Sequence, residues 1–235
     1  MKLIPGLIKL THSIVRLCYP KICLACGESM SQQEDVICTI CVLRLPYTNF
    51  HHHDDNPLSK KFWGRVTIEQ IDSLLYFEKA SKTQQLLYNL KYNNRQDVGT
   101  KLAKIVIEHY QDLALQQKYD GIITVPLHLK KLKIRGYNQC DSFALQLSRS
   151  WQIPYLKDAL CRISNNPSQT GKNRMMRWEN VKDVFSVNEK VQLQGKHLLL
   201  IDDILTTGAT LEACANQILE IQNTKISILA MACKI

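Results

Sequence analysis

The sequence contains no apolar run approaching the ~18 residues needed to cross a bilayer. Its first segment, residues 1–19, is interrupted by Lys9, Thr11, His12 and Arg16. Membrane insertion is therefore not expected, no export signal is read, and a cytoplasmic location is the expectation. Glycine and proline are scarce, at nine and seven residues, while 45% of the chain is apolar and 22% charged, a balance that excludes fibrous and disordered classes. No internal repeat is present, which excludes solenoids and arrays. An even set of cysteines is also missing. The nine cysteines, four of them in two close pairs, suit a reducing compartment and a metal site better than a disulfide framework. A chain of 235 residues makes one full domain with room for a small second module.

Acidic residues are in short supply as well. Against 30 Lys and Arg stand 21 Asp and Glu, a formal net charge of +9. The excess is local: residues 121–182 hold eleven basic side chains (including Lys130, Lys131, Lys133, Arg135, Arg149, Lys172, Arg174 and Arg177) and only three acidic ones, Asp141, Asp158 and Glu179. The remainder of the chain is nearly neutral. A local excess of this kind implies a polyanionic ligand, either nucleic acid or clustered phosphates, with a solvated positive face as the bland alternative.

Residues 1–20 read as an amphipathic helix packed on the body, with Leu3, Leu7, Leu10, Ile14 and Leu17 at helical spacing. The organisation expected is an amphipathic segment and cysteine module over 1–47, a polar linker or loop over 48–66, and an α/β domain over 67–235. The triple histidine His51 to His53 reads as exposed loop rather than metal site. From Ile71 onward strands and helices alternate. Strands are expected at Ile71 to Phe77, Gly121 to Val125, His197 to Ile201 and Lys225 to Ala232. Helices are expected at Lys82 to Tyr92, Asp97 to Lys118, Asn138 to Ser150 and Thr210 to Gln222. Such alternation implies a mainly parallel sheet covered on both faces.

Cys23 and Cys26 are two residues apart, as are Cys38 and Cys41, with eleven residues between the pairs. That spacing lets four thiolates converge on one tetrahedral ion, and a closed four-sulfur shell leaves no place for substrate, so a structural Zn2+ is expected. Redox disulfides and an iron cluster are the alternatives. Cys18, Cys140, Cys161, Cys214 and Cys233 have no comparable partners and read as buried thiols.

The most specific segment runs from His197 to Thr210, HLLLIDDILTTGAT. An apolar strand leads into two carboxylates, then into a loop of small hydroxylated residues that opens a helix. Backbone amides of such a loop, with the positive end of the helix dipole, hold one phosphate group. Thr206, Thr207 and Thr210 add hydroxyl donors, Gly208 and Ala209 permit close approach, and Asp202 and Asp203 stand where carboxylates accept hydrogen bonds from sugar hydroxyls.

The segment IDDILTTGAT resembles the phosphoribosyl pyrophosphate (PRPP) motif of type I phosphoribosyltransferases. Further segments narrow the resemblance to the ComF/GntX-like family, associated with natural competence and DNA uptake. They are PKICLACG with the second cysteine pair, VPLH at Val125 to His128 with RGYNQ at Arg135 to Gln139, and QTGKNR with RWENV between Gln169 and Val181. The resemblance implies a type I phosphoribosyltransferase-like fold, a mainly parallel sheet flanked by helices, with a small N-terminal zinc-binding module.

It also implies roles. Asp202 and Asp203 would hold the ribose hydroxyls, and Thr206, Thr207, Gly208, Ala209 and Thr210 the 5'-phosphate. Val125, Pro126, Leu127, His128, Arg135 and Gly136 would hold pyrophosphate with Mg2+. A mobile loop from Ser164 to Asn180 would bring Arg174 and Arg177 to catalysis, if transfer at ribose C1 occurs. Single-stranded DNA is the other expected ligand, its backbone on Lys130, Lys131, Lys133, Arg135 and Arg149 and its bases on Tyr137, Trp151 or Trp178, with core packing as the alternative for these aromatics and the favoured reading for Trp151. Competence or DNA-processing proteins are expected as partners.

Overall fold

A computed structural model describes residues 20–52, 56–110, 119–163 and 184–235. The expected N-terminal amphipathic segment, Cys18, His53, the long helix beyond residue 110, and the basic loop carrying Lys172, Arg174, Arg177 and Trp178 lie outside the described residues.

Strands β1 (Gln70–Tyr76), β2 (Gly121–Thr124), β5 (His197–Leu205) and β6 (Lys225–Cys233) form one sheet in the order β1-β6-β5-β2. Every pairing is parallel. Such strands are buried on both faces and therefore read as continuous apolar runs. β5 and β6 show this, with side chains such as Leu199, Leu200, Ile201, Ile228, Ala230 and Met231 almost wholly buried. A short antiparallel hairpin, β3 (Leu160–Arg162) with β4 (Phe185–Val187), stands apart and was not expected from the sequence.

One face of the sheet is covered by α2 (Lys82–Tyr92), α3 (Asp97–His109) and α5 (Asp141–Trp151). Ser81 caps α2 by accepting the Gln84 N–H at 3.2 Å. The helices α3 and α5 approach closely at Gly99, where a Cβ atom would come within 2.2 Å of the Ser142 Oγ. The cysteine segment, with α1 (Thr39–Leu43), packs on this layer. Cys23, Val36, Ile37, Cys38 and Cys41 share one buried cluster with Leu86, Leu87 and Leu90 of α2. The other face carries α6 (Ala209–Leu219), the hairpin, and Phe50, Leu58 and Phe62. A further short helix, α4 (Leu129–Arg135), falls where no element is expected from the sequence, capped by His128 Nδ1 accepting the Lys130 N–H at 3.1 Å and closed by Gly136 at φ 77°.

Several expectations need correction. Of the two readings of residues 48–66, linker or loop, the described residues fit a loop packed on the body: Phe50, Leu58 and Phe62 are buried, and Asn56 donates to the Ile71 carbonyl at 2.6 Å. Its few apolar residues follow no helical or strand period, which hid them. β5 runs on to Leu205 rather than ending at Ile201, because its pairing with β6 continues past the acids, Asp202 opposite Ala230, Ile204 opposite Ala232 and Leu205 opposite Cys233. Cys161 is exposed, on the short hairpin, whereas Cys140, Cys214 and Cys233 are buried as expected. Trp151, by contrast, is a core residue, 6% exposed, in agreement with the favoured core-packing reading, so it offers no stacking platform.

Beneath α3 lies a buried acid. Asp72 on β1 accepts the Tyr110 hydroxyl and, at 2.6 Å, the Ser73 N–H. Burial outweighs these donors and pushes its carboxyl up to about 6. Because the folded value lies above the unfolded one, this group favours folding below about pH 4 and that contribution is lost as pH rises to about 6. Asp72→Asn should remove the dependence. The variant is expected to gain on wild type between pH 4.5 and 6 and to stay ahead by about 1–3 kcal/mol above it, measured as thermal melts across that range. A constant difference at all pH values would count against the assignment.

Candidate functional site

The end of β5 gathers most of the residues singled out in the sequence. Thr206 and Thr207 are exposed, Gly208 turns the chain at φ 81°, and α6 begins at Ala209. The hydroxyl of Thr207 accepts the Ala209 N–H at 3.4 Å. Together with Asp202 and Ile204, residues 205–211 line one small pocket at the start of a helix, where backbone amides are left without intrahelical partners. Gly208 is held from below. A Cβ there would lie 2.9 Å from the Phe62 Cζ, so the buried Phe62 ring forms the floor of the loop. Arg65 pairs with Glu212 on the first turn of α6 and ties the same segment to the loop.

Successive strand positions project to opposite faces, and the contacts of the two acids follow. Asp202 lines the loop pocket on the α6 side. Asp203, 8% exposed, turns toward the other layer, where Lys91 of α2 forms an ion pair with it and Gln139 Nε2 donates at 3.2 Å. Each carboxylate also bends along the strand: Asp202 accepts the Asp203 N–H and Asp203 the Ile204 N–H, both at 2.8 Å. Burial, and then the neighbouring Asp203 charge, push the Asp202 carboxyl well above the ordinary carboxylate range.

The 125–139 segment stands beside them. Asn138 Nδ2 donates to the Val125 carbonyl at 2.9 Å and closes the segment on itself. Arg135 donates to Gln139 Oε1 at 2.7 Å, so a continuous path runs from Arg135 through Gln139 to Asp203. Tyr137 is half-buried, its hydroxyl donating to the Leu90 carbonyl. Lys130, Lys131 and Lys133 are exposed on α4, and Arg149 is exposed on α5. Between these helices opens a cleft of about 790 Å3, with Leu129, Leu132 and Leu145 as apolar wall and Arg149, Lys157 and Arg162 among its cations. Asp141, paired with Lys157 at 3.1 Å and accepting the Tyr155 hydroxyl at 2.6 Å, shapes its base.

The sequence did not single out Lys91, Phe62 or Arg65. Lys91 and Asp203 meet only through the fold, and Phe62 lies in a stretch with no apolar period. The place of Gln139 after Arg135 in RGYNQ is the one local signal that was available.

The four cysteine sulfurs lie within 4.8 Å of one another. Cys26 and Cys38 are 4.0 Å apart, against the ~3.8 Å that four ~2.3 Å bonds to one tetrahedral ion would set. The donor set fits a metal such as zinc. Burial opposes ionisation of Cys23, but the backbone N–H groups of Cys38, Ala25 and Cys26 prevail and bring its thiol down to about 7. Cys41 is pushed up to about 12, by burial and then by its cysteine neighbours. A divalent cation would remove that conflict by holding all four as thiolates.

No protein-family model matches the chain. It is 27% identical over 224 residues to the DNA utilization protein YhgH of Shigella flexneri, covering 93% of each chain. It is 28% identical over 226 residues to Competence protein F of Haemophilus influenzae, covering 89% of this chain and 96% of that one. Among solved structures it is similar to an adenine phosphoribosyltransferase from Saccharomyces cerevisiae, at 15% identity and a TM-score of 0.38 over 60% of this chain and 71% of that one. Over nearly its full length the chain is thus a homologue of proteins named for DNA utilization and competence, in keeping with the ComF/GntX-like resemblance of its motifs.

Proposed function

We propose that the chain is a phosphoribosyltransferase-like protein of DNA utilization and competence that binds PRPP with Mg2+ at the end of β5. The observation that carries this reading is the loop at residues 205–211, which lines one small pocket together with Asp202 at the start of α6. The amides of Gly208 and Ala209 and the hydroxyls of Thr206, Thr207 and Thr210 would hold the 5'-phosphate. Asp202 and Asp203 would accept the ribose hydroxyls. The segment from Val125 through Pro126, Leu127 and His128, with Arg135 and Gly136, would face the pyrophosphate, and Arg135 supplies a planar cation for it. Bound Mg2+ would neutralise charge on the pyrophosphate, and carboxylate oxygens at a strand end are the hard donors that it takes. Transfer at ribose C1 is the reaction such a site supports.

A second reading, single-stranded DNA binding, is favoured by the exposed Lys130, Lys131 and Lys133 on α4 and by Arg149, which lines the cleft. These cations would follow a phosphate backbone and make the affinity fall with salt. Arginines set for pyrophosphate serve equally for DNA phosphates, so the two readings share Arg135.

Saturating PRPP with Mg2+ is expected to raise the melting temperature by about 5–10 °C, the linkage expected near a hundredfold excess over Kd. An unchanged melting temperature would overturn the PRPP reading. Release of pyrophosphate from PRPP, measured with and without single-stranded DNA, separates a transferase from a binding protein.

A further inference from the structure

The end of α2 meets the ligand-facing segments at several points. Lys91 pairs with Asp203, the Leu90 carbonyl accepts the Tyr137 hydroxyl, and the Arg135 guanidinium lies over the Tyr92 ring, 5.1 Å from its centroid. Gln139 bridges Arg135 and Asp203 at 2.7 and 3.2 Å. One path of contacts, Arg135 to Gln139 to Asp203 to Lys91, therefore links the pyrophosphate-facing segment to the strand-end acids and to a helix of the cysteine-bearing layer. Covering Asp203 does not require a lysine. The Lys91 and Asp203 side chains retain 18% and 11% exposure, so the pair gives up solvation and lysine rotamer freedom that an apolar side chain with a neutral partner would keep. What an ammonium adds is a fixed, directed hold on a carboxylate.

Resting on the sugar-phosphate reading above, we propose that Lys91 is a positioning residue of the ribose site, holding the Asp203 carboxylate in the orientation that a phosphorylated sugar's hydroxyls require. Lys91 acts through Asp203 and not on the ligand. Its helix is itself anchored, since Asn89 Nδ2 donates to the Leu24 carbonyl at 3.3 Å inside the cysteine segment.

The test is calorimetric titration of PRPP with Mg2+ into the full chain and into Lys91→Arg, Lys91→Gln and Lys91→Met. Lys91→Arg keeps a cation and should stay within a few-fold of wild type. Lys91→Gln keeps a donor without charge, and Lys91→Met keeps neither; both should weaken binding on the order of tenfold or more, the worth of one hydrogen bond to a charged group. Metal content and ligand-free melting of Lys91→Gln, compared with Lys91→Arg, separate this from unfolding. Wild-type binding that Lys91→Gln leaves within twofold overturns the positioning role alone, as does equal loss in Lys91→Gln and Lys91→Arg. Wild-type protein that binds no PRPP overturns the sugar-phosphate reading and the role together.

Discussion

Replacing Asp202 and Asp203 by asparagine one at a time is expected to separate folding stability from ligand response. Asp203→Asn leaves the Lys91 ammonium facing a neutral amide in a nearly closed site. The expected cost is about 2–3 kcal/mol, below the range for a fully buried pair because Lys91 keeps some solvent, and corresponds to a melting temperature lower by about 4–12 °C. Asp202→Asn should behave differently. Its carboxyl is already pushed up by burial and by Asp203, and asparagine keeps an oxygen for the Asp203 N–H. Ligand-free stability should therefore hold within about 0.5 kcal/mol or rise. Both variants should weaken PRPP binding, and the double variant should show no thermal response to PRPP with Mg2+. An Asp202→Asn protein that responds as wild type does would remove Asp202 from the site.

Loss of the cysteine cluster is expected to be costlier. Cys38→Ser with Cys41→Ser, or stripping of metal by a strong chelator, should lower stability by about 5 kcal/mol or more, because a small segment held by metal has little core of its own. The melting temperature should fall by about 10–20 °C. The damage should spread, since Cys23, Cys38 and Cys41 are buried in the same cluster as α2. Metal analysis should find about one ion per chain. A metal-free protein that melts as the native one does would refute a structural metal. Stripped protein should also bind PRPP less tightly, through the anchoring of α2 at Leu24.

How much of this was legible depends on whether a signal was local. The cysteine spacing, the loop at residues 205–211 and the apolar core of β5 are contiguous patterns, and the parallel sheet followed from alternating periods. The limit of β5 was misread because two adjacent carboxylates look like a turn. They remain in the strand because β6 goes on pairing with β5 beyond them, as far as Leu205 opposite Cys233. α4 escaped notice because its lysines and exposed Ile134, 85% accessible, give no buried stripe. Asp203's engagement with Lys91 could not be read at all, since the two residues are remote in sequence and lysine on a helix surface is ordinary. Phe62 under Gly208 is the same case: a single apolar residue whose purpose appears only when the chain folds back.

The pairing of neighbouring acids with different layers makes the phase of β5 functional information. A one-residue deletion between His197 and Leu199 would preserve composition, charge and nearly all apolar content. It would also exchange the addresses of Asp202 and Asp203, sending one acid away from the loop at residues 205–211 and the other away from α2. The strand therefore works as a reading frame, and β5 should tolerate conservative apolar substitutions far better than any change in its length.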